Sequence, residues 1–199
     1  MSIIVCGNRV ILRDRLPSDV DTYVRWWSKG EWLKYDAPWE IAEILTTTTK
    51  EEIRRRFLDG CAQRLPLPRD YAIIAMKENK PLGWVNRYVD KRFPSAWLIG
   101  INICEDDYLN KGLGTEAFGL WVDYLFLNSD IHRIGFDTYS FNKRMIRVGE
   151  KLGFTHEGTD REIIYWQNEW IDRLHFGMLR SEWEARRKKS KTGLLHTTK

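Results

Sequence analysis

The 199-residue chain lacks any apolar run near the ~20 residues that spanning a bilayer requires, so no membrane association is expected. Its three cysteines, Cys6, Cys61 and Cys104, are scattered; an odd, widely spaced set argues against both a disulfide framework and a metal site. The histidines His132, His156 and His175 show no ligand spacing, and no metal is expected. No Ser, Cys or His set suggests a covalent intermediate. No basic-then-apolar segment opens the chain, so a cytoplasmic location is expected. There is no internal repeat, low-complexity tract or linker.

Hydrophobic residues make up 43% of the chain and charged residues 30%, which reads as one globular domain with a real core. The net charge of +4 resides in the end of the chain, where Arg186, Arg187, Lys188, Lys189, Lys191 and Lys199 face a single acid, Glu184. The body is close to neutral and is not a basic nucleic-acid surface. A domain over residues 1–183 and a solvated, disordered tail over 184–199 are expected, with at most weak contact between that tail and a polyanion. The ten tryptophans are conspicuous: Trp26, Trp27, Trp32 and Trp39 cluster with Tyr23 and Tyr35. They read either as core or as an aromatic wall around a ligand. For the second reading, Trp32, Tyr35, Trp39 and Trp84 are the substrate-binding candidates.

The most informative stretch is Tyr108-Leu109-Asn110-Lys111-Gly112-Leu113-Gly114-Thr115-Glu116. An apolar strand-like run, 97–104, precedes it, and an apolar run of helical length, 117–127, follows. A glycine-rich turn opening a helix presents unpaired N–H groups at the positive end of the helix dipole, an arrangement that holds phosphate. The nucleotide P-loop spacing is absent, and the dinucleotide fingerprint would require an early βαβ unit.

The rest of the chain punctuates clearly. A strand at Val10–Arg13 precedes a helix opened by Ser18-Asp19-Val20-Asp21. The segment 29–46, with Pro38 at its middle, reads as irregular. Thr49-Lys50-Glu51-Glu52 is a capping box for a helix ending near the breakers Pro66 and Pro68. Strands follow at 71–76, 82–89 and 96–104, then the glycine loop and its helix, and a strand at 133–138. A helix over 142–152 ends at Gly153, and strands 155–166 and 170–179 pair across Gln167-Asn168-Glu169. The class is α/β (α+β): a mixed, mostly antiparallel sheet with helices on both faces.

This order resembles the GNAT superfamily of acetyl-coenzyme A-dependent N-acetyltransferases over roughly 8–183. Three elements carry the likeness: the Leu109-x-x-Gly112-x-Gly114 loop with Thr115-Glu116-Ala117; Asn142 opening a helix that closes as Glu150-Lys151-Leu152-Gly153-Phe154; and the end pattern from Trp170-Ile171-Asp172-Arg173 to Trp183. It looks like the branch that includes the ribosomal-protein N-terminal (RimJ/RimL-type) acetyltransferases. The resemblance implies an acyl-CoA N-acyltransferase fold, with a sheet splayed at its central strand, and acetyl-CoA as cosubstrate. It implies cofactor contacts from Ile101, Ile103, Leu109, Asn110, Lys111, Gly112, Leu113, Gly114, Thr115 and Asn142, with a main-chain N–H near Ile103 polarising the thioester. The acceptor would be a primary amine, a peptide N-terminus before a polyamine or other small molecule, and the protein a monomer or homodimer.

The chain departs from the family pattern at the residues that usually move protons. Gly149 stands where many members have a Tyr, Met145 where some have a Ser, Leu98 where many have a Glu, and Leu109 where Gln or Arg opens the loop. Deprotonating a lysine-like amine at pH 7 costs about 4.6 kcal/mol against about 1 kcal/mol for an α-amine, so a site without an evident base favours the latter. Asp36, Glu31, Asp90 and Asp172 are candidate bases, and Tyr139 and Ser140 candidate acids. Direct transfer in a ternary complex is the expected reaction.

Overall fold

The computed structural model describes residues 2–63, 65–89 and 93–195, with side chains through residue 189. Its sheet has eight strands in the order β1-β2-β3-β4-β5-β6-β8-β7. These are β1 (Ile3–Cys6), β2 (Val10–Arg13), β3 (Tyr71–Met76), β4 (Pro81–Val89), β5 (Ala96–Ile103), β6 (Arg133–Tyr139), β7 (Thr155–Trp166) and β8 (Glu169–Leu179). Every neighbouring pair is antiparallel except β5 and β6.

Six helices pack on the sheet: α1 (Val20–Trp26), α2 (Pro38–Thr47), α3 (Lys50–Ala62), α4 (Leu113–Leu127), α5 (Lys143–Leu152) and α6 (Arg180–Leu195). The main core lies between the sheet and α4, where Phe118, Trp121, Val122 and Leu125 meet Leu12, Ile74, Val85, Ile134 and Phe136. Each such side chain contributes about 1.5–3 kcal/mol by leaving water, against about 0–1 kcal/mol for an exposed ion pair. Packing, rather than surface charge, therefore sets how α4 lies. On the opposite face α1 and α3 cover Ile11, Ile73 and Ala75, and Trp26, Trp32 and Trp84 form a second buried group.

The capping box at Thr49 is formed in both directions: Glu52 N–H donates to Thr49 Oγ1 (3.2 Å) and Thr49 N–H to Glu52 Oε2 (2.9 Å). The segment read as irregular contains α2. Pro38 occupies its first turn, where a missing N–H costs nothing, so the apparent breaker is an initiator. Strand β1, four residues long, carried no periodicity strong enough to be read. The basic stretch from Glu184 onward, expected as a solvated tail, continues α6 through Leu195; its Glu, Ala, Arg and Lys are strong helix formers. Trp183 anchors this helix, stacked on Phe126 with ring centroids 5.0 Å apart.

Candidate active site

The site is an opening in the sheet. β5 and β6 pair only through Ala96–Leu98 and Arg133–Gly135. Beyond that point β5 runs on to Ile103 and β6 to Tyr139 without bonding to each other. On its other side β5 stays paired with β4 as far as Gly83 and Ile103. Cys104 N–H donates to the Leu82 carbonyl (2.8 Å), which marks a bonded position of this ladder. Counting back, Asn102 and Gly100 fall at bonded positions, and Ile103, Ile101 and Ile99 at non-bonded ones. The N–H and C=O groups of Ile101 and Ile103 therefore point away from β4 into the gap, a free strand edge. A cleft of about 390 Å³ occupies it.

At one end of the cleft lies the glycine turn. Asn110 (φ 58°) and Gly112 (φ 77°) both take left-handed backbone, which reverses the chain into α4. The Glu116 N–H makes the first intrahelical bond, to the Gly112 carbonyl (3.1 Å). The N–H groups of Leu113, Gly114 and Thr115 precede it and so have no intrahelical acceptor. Gly114 has room for a Cβ, which would make ordinary contact with Ile103 Cγ1 at 3.5 Å. The turn is tied down from behind. Glu116 accepts the N–H groups of Arg9 (2.7 Å) and Val10 (3.3 Å), and Arg9 Nη1 donates to the Lys111 carbonyl (2.7 Å). Burial opposes the Glu116 charge, but these bonds outweigh it and hold its carboxyl below the ordinary value.

Of the expected cofactor residues, Ile101, Ile103, Leu109, Asn110, Gly112, Gly114, Thr115 and Asn142 line the cleft. Lys111 and Leu113 do not: the Lys111 ammonium lies 5.5 Å from the Tyr108 ring centroid, and the Leu113 side chain is in the core. The Asn142 side chain caps α5, accepting from Met145 N–H (3.1 Å), and its Nδ2 donates to the Tyr35 carbonyl (3.2 Å). Sequence reasoning missed Arg144, Arg147 and Lys151 on the cleft wall. Their i, i+3, i+7 spacing on α5, beside Met145 and Val148, was the available signal.

The aromatic wall divides. Trp32 and Tyr35 line the cleft, whereas Trp84 and Trp39 do not. Trp84 packs edge-on to Trp32 (5.0 Å) and parallel to Trp27 (6.3 Å), and is 5% exposed. Trp39 packs on Tyr139 (4.6 Å) and Trp166 (6.0 Å). These two are packing residues because their faces fill against neighbouring rings, which composition alone could not reveal.

Among the candidate acids, Tyr139 lines the cleft, with its hydroxyl pushed up mainly by burial. Ser140 does not; its hydroxyl accepts from Asp172 N–H (3.3 Å). Among the candidate bases, Glu31 is paired with Lys34 (2.6 Å) and Asp172 accepts from Glu162 N–H (2.8 Å), both off the cleft. Asp90 lies outside the described residues. Asp36 lines the cleft and accepts from Asn102 Nδ2 (2.8 Å). Asp36 remains exposed to solvent, yet the protein around it raises its carboxyl above the usual value by desolvation, with the Asn102 bond opposing. Asp137, unforeseen, also lines the cleft and is bound by His175 Nδ1 (2.8 Å), whose Nε2 meets Asp160 (2.9 Å). Among the described residues no helix is long and apolar enough to cross a membrane.

Comparison with known proteins gives this geometry a context. Residues 9–155 match the acetyltransferase (GNAT) domain family. An uncharacterized prophage-derived N-acetyltransferase of Bacillus subtilis, YokL, is 37% identical over 79 residues, 40% of this chain and 45% of that protein. The aminoglycoside N(6')-acetyltransferase type 1 of Klebsiella pneumoniae is 32% identical over 123 residues, 55% of this chain and 61% of that one. The chain thus spans about half the length of these curated relatives. In fold it is similar to RimL, a ribosomal L7/L12 α-N-protein acetyltransferase solved with coenzyme A, at a TM-score of 0.71 and 18% identity, covering 91% of this chain and 99% of that one.

Proposed function

The chain belongs to the acetyltransferase (GNAT) family, and on that premise we propose that it transfers an acetyl group from acetyl-CoA to a primary amine. The observation that carries this reading is the coincidence of two features. The sheet opens where β5 parts from β6, and the unbonded N–H groups of Leu113, Gly114 and Thr115 stand at the mouth of that opening. The turn fits the coenzyme A diphosphate, the α5 side chains Arg144, Arg147 and Lys151 supply positive charge along one wall, and the Ile101–Ile103 edge fits the pantetheine amides.

Acetyl-CoA supplies the acyl group as an activated thioester. The Ile103 N–H, aimed into the gap, would stabilise negative charge developing on the thioester oxygen. Holding both reactants in one cleft lowers the entropic part of the barrier, so no covalent enzyme intermediate is needed. A protein N-terminus ranks first as acceptor, supported by the fold likeness to RimL; a small cationic amine ranks second, supported by the aminoglycoside-acetylating relative.

The test is thiol release. Incubated with acetyl-CoA and a panel of short peptides, polyamines and aminoglycosides, the protein should liberate free coenzyme A only when an acceptor is present. Saturable acetyl-CoA binding with no turnover on any amine would point instead to a coenzyme A-binding module, a reading that Gly149 at the usual acid position favours.

A further inference from the structure

We propose that Asp36 is the anionic floor of the acceptor-amine subsite: it anchors the incoming ammonium and takes its first proton, while Asn102 fixes its orientation. The inference rests on the acetyltransferase reading above and assigns the half of the site that reading leaves open.

Strand geometry separates the two halves. Ile99, Ile101 and Ile103 pack with α4 on one face of β5, so Gly100 and Asn102, between them, face the other side. There Asn102 Nδ2 reaches Asp36 Oδ2 at 2.8 Å. The gap between β5 and β6 joins the faces, and residues of both line one cleft. An amine held at Asp36 would approach the Ile101–Ile103 edge from the side opposite α4.

Asp36 is also the cleft carboxylate left free to do this. Asp137 is engaged by His175, and outside the cleft Glu31, Glu105 and Glu116 are each ion-paired, to Lys34, Arg25 and Arg9. Among the described residues Asp36 makes no ion pair, and only its Oδ2 accepts a bond; a cationic ligand would complete it. The groups facing it reinforce the selection. Tyr35 and Tyr139 line the same cleft, and Asp36 and Glu40 both act electrostatically on Tyr88 and Tyr139; Arg144, over the Tyr35 ring at 4.7 Å, is the opposing cation and belongs to the wall that faces the diphosphate. A carboxylate surrounded by aromatic rings and further acids selects a primary ammonium over a neutral or anionic acceptor.

The proton balance closes. The substrate N–H bond breaks toward Asp36, forming its carboxylic acid and a neutral amine. The nitrogen lone pair forms the C–N bond as the C–S bond breaks, and the thiolate leaves with the C–S bonding pair. The second nitrogen proton goes to the thiolate, and Asp36 returns its proton to water through the open cleft.

The experiment compares the 199-residue chain with Asp36→Asn and Asn102→Ala, using acetyl-CoA with a free-N-terminal tripeptide, spermidine and kanamycin. Asp36→Asn should lower kcat/KM on the best acceptor by on the order of 10²–10³-fold. It should also remove the acid limb of the pH profile, while leaving coenzyme A affinity by calorimetry and Tm unchanged. Asn102→Ala should cost about tenfold and move that limb. Asp36→Glu should restore part of the rate. Full activity with an unaltered pH profile in Asp36→Asn overturns this proposal alone. A wild-type chain inert toward all three amines overturns the transferase reading and the proton step with it.

Discussion

Gly149 of α5 lies directly against the ring of Phe136 on β6: a Cβ added to it would stand 2.6 Å from Phe136 Cζ and 3.1 Å from Cε1. Phe136 is itself stacked on Phe176, with centroids 4.9 Å apart and planes 3° from parallel, so it cannot move aside cheaply. The position where a tyrosine acid would be expected is thus filled by core.

Gly149→Ala should therefore destabilise the fold by about 1–3 kcal/mol, the usual cost of overpacking. Gly149→Tyr should fail to fold rather than gain a proton donor. Chemical denaturation of Gly149→Ala checks this; stability equal to wild type would show that the ring yields.

The two loop glycines should separate stability from binding. Gly112 has φ 77°, so Gly112→Ala costs about 1–2 kcal/mol in the fold. Gly114 is helical and unobstructed by protein, so Gly114→Ala should leave the fold as stable or up to about 0.5–1 kcal/mol firmer. Both should bind coenzyme A more weakly, read by calorimetry beside Tm. Unchanged affinity in Gly114→Ala would show that the ligand does not approach that Cα.

Arg13 and Asp19 form a buried two-pronged pair at 2.7 and 2.8 Å. Asp19→Ala strands the guanidinium and should cost about 3–5 kcal/mol. Asp21→Ala, which removes the exposed partner of Arg54, should cost no more than about 1 kcal/mol. Urea midpoints of the two variants decide the order.

Stability should depend on pH in two opposite senses. His175, between Asp137 and Asp160, has burial opposing its charge, yet the two carboxylates raise its value above the usual one. Its contribution is full below the unfolded value of about 6.5 and is lost as pH rises through the higher folded value. Glu116 is depressed, so its contribution is present above about 4.3 and is lost as pH falls through the folded value. Tm measured from pH 2 to 9 should lose its alkaline slope in His175→Gln and part of its acid slope in Glu116→Gln. An unchanged profile in either variant contradicts the assignment.

Much of this was legible because local chemistry and tertiary role coincide. Gly112 needs a left-handed backbone and Thr49–Glu52 closes a capping box whatever surrounds them. The opening beside Ile101 and Ile103 followed from the family likeness, and the register of β4, β5 and β6 bears it out. What escaped was non-local. Pro38 looks the same as breaker or as helix opener until the preceding backbone is known. Trp84 and Trp32 are buried alike in one aromatic cluster, yet only Trp32 borders the cleft. Asp36 was one of four acids, and its place on the cleft wall and its approach to Asn102, 66 residues away, distinguish it.

Calorimetric titration of coenzyme A into the wild-type chain and into Gly112→Val/Gly114→Val, with Tm followed in parallel, tests the central claim most directly. The account predicts saturable one-to-one heat for the wild type and its loss in a variant that is still folded. No heat with the wild type, or equal affinity in the two proteins, would contradict it.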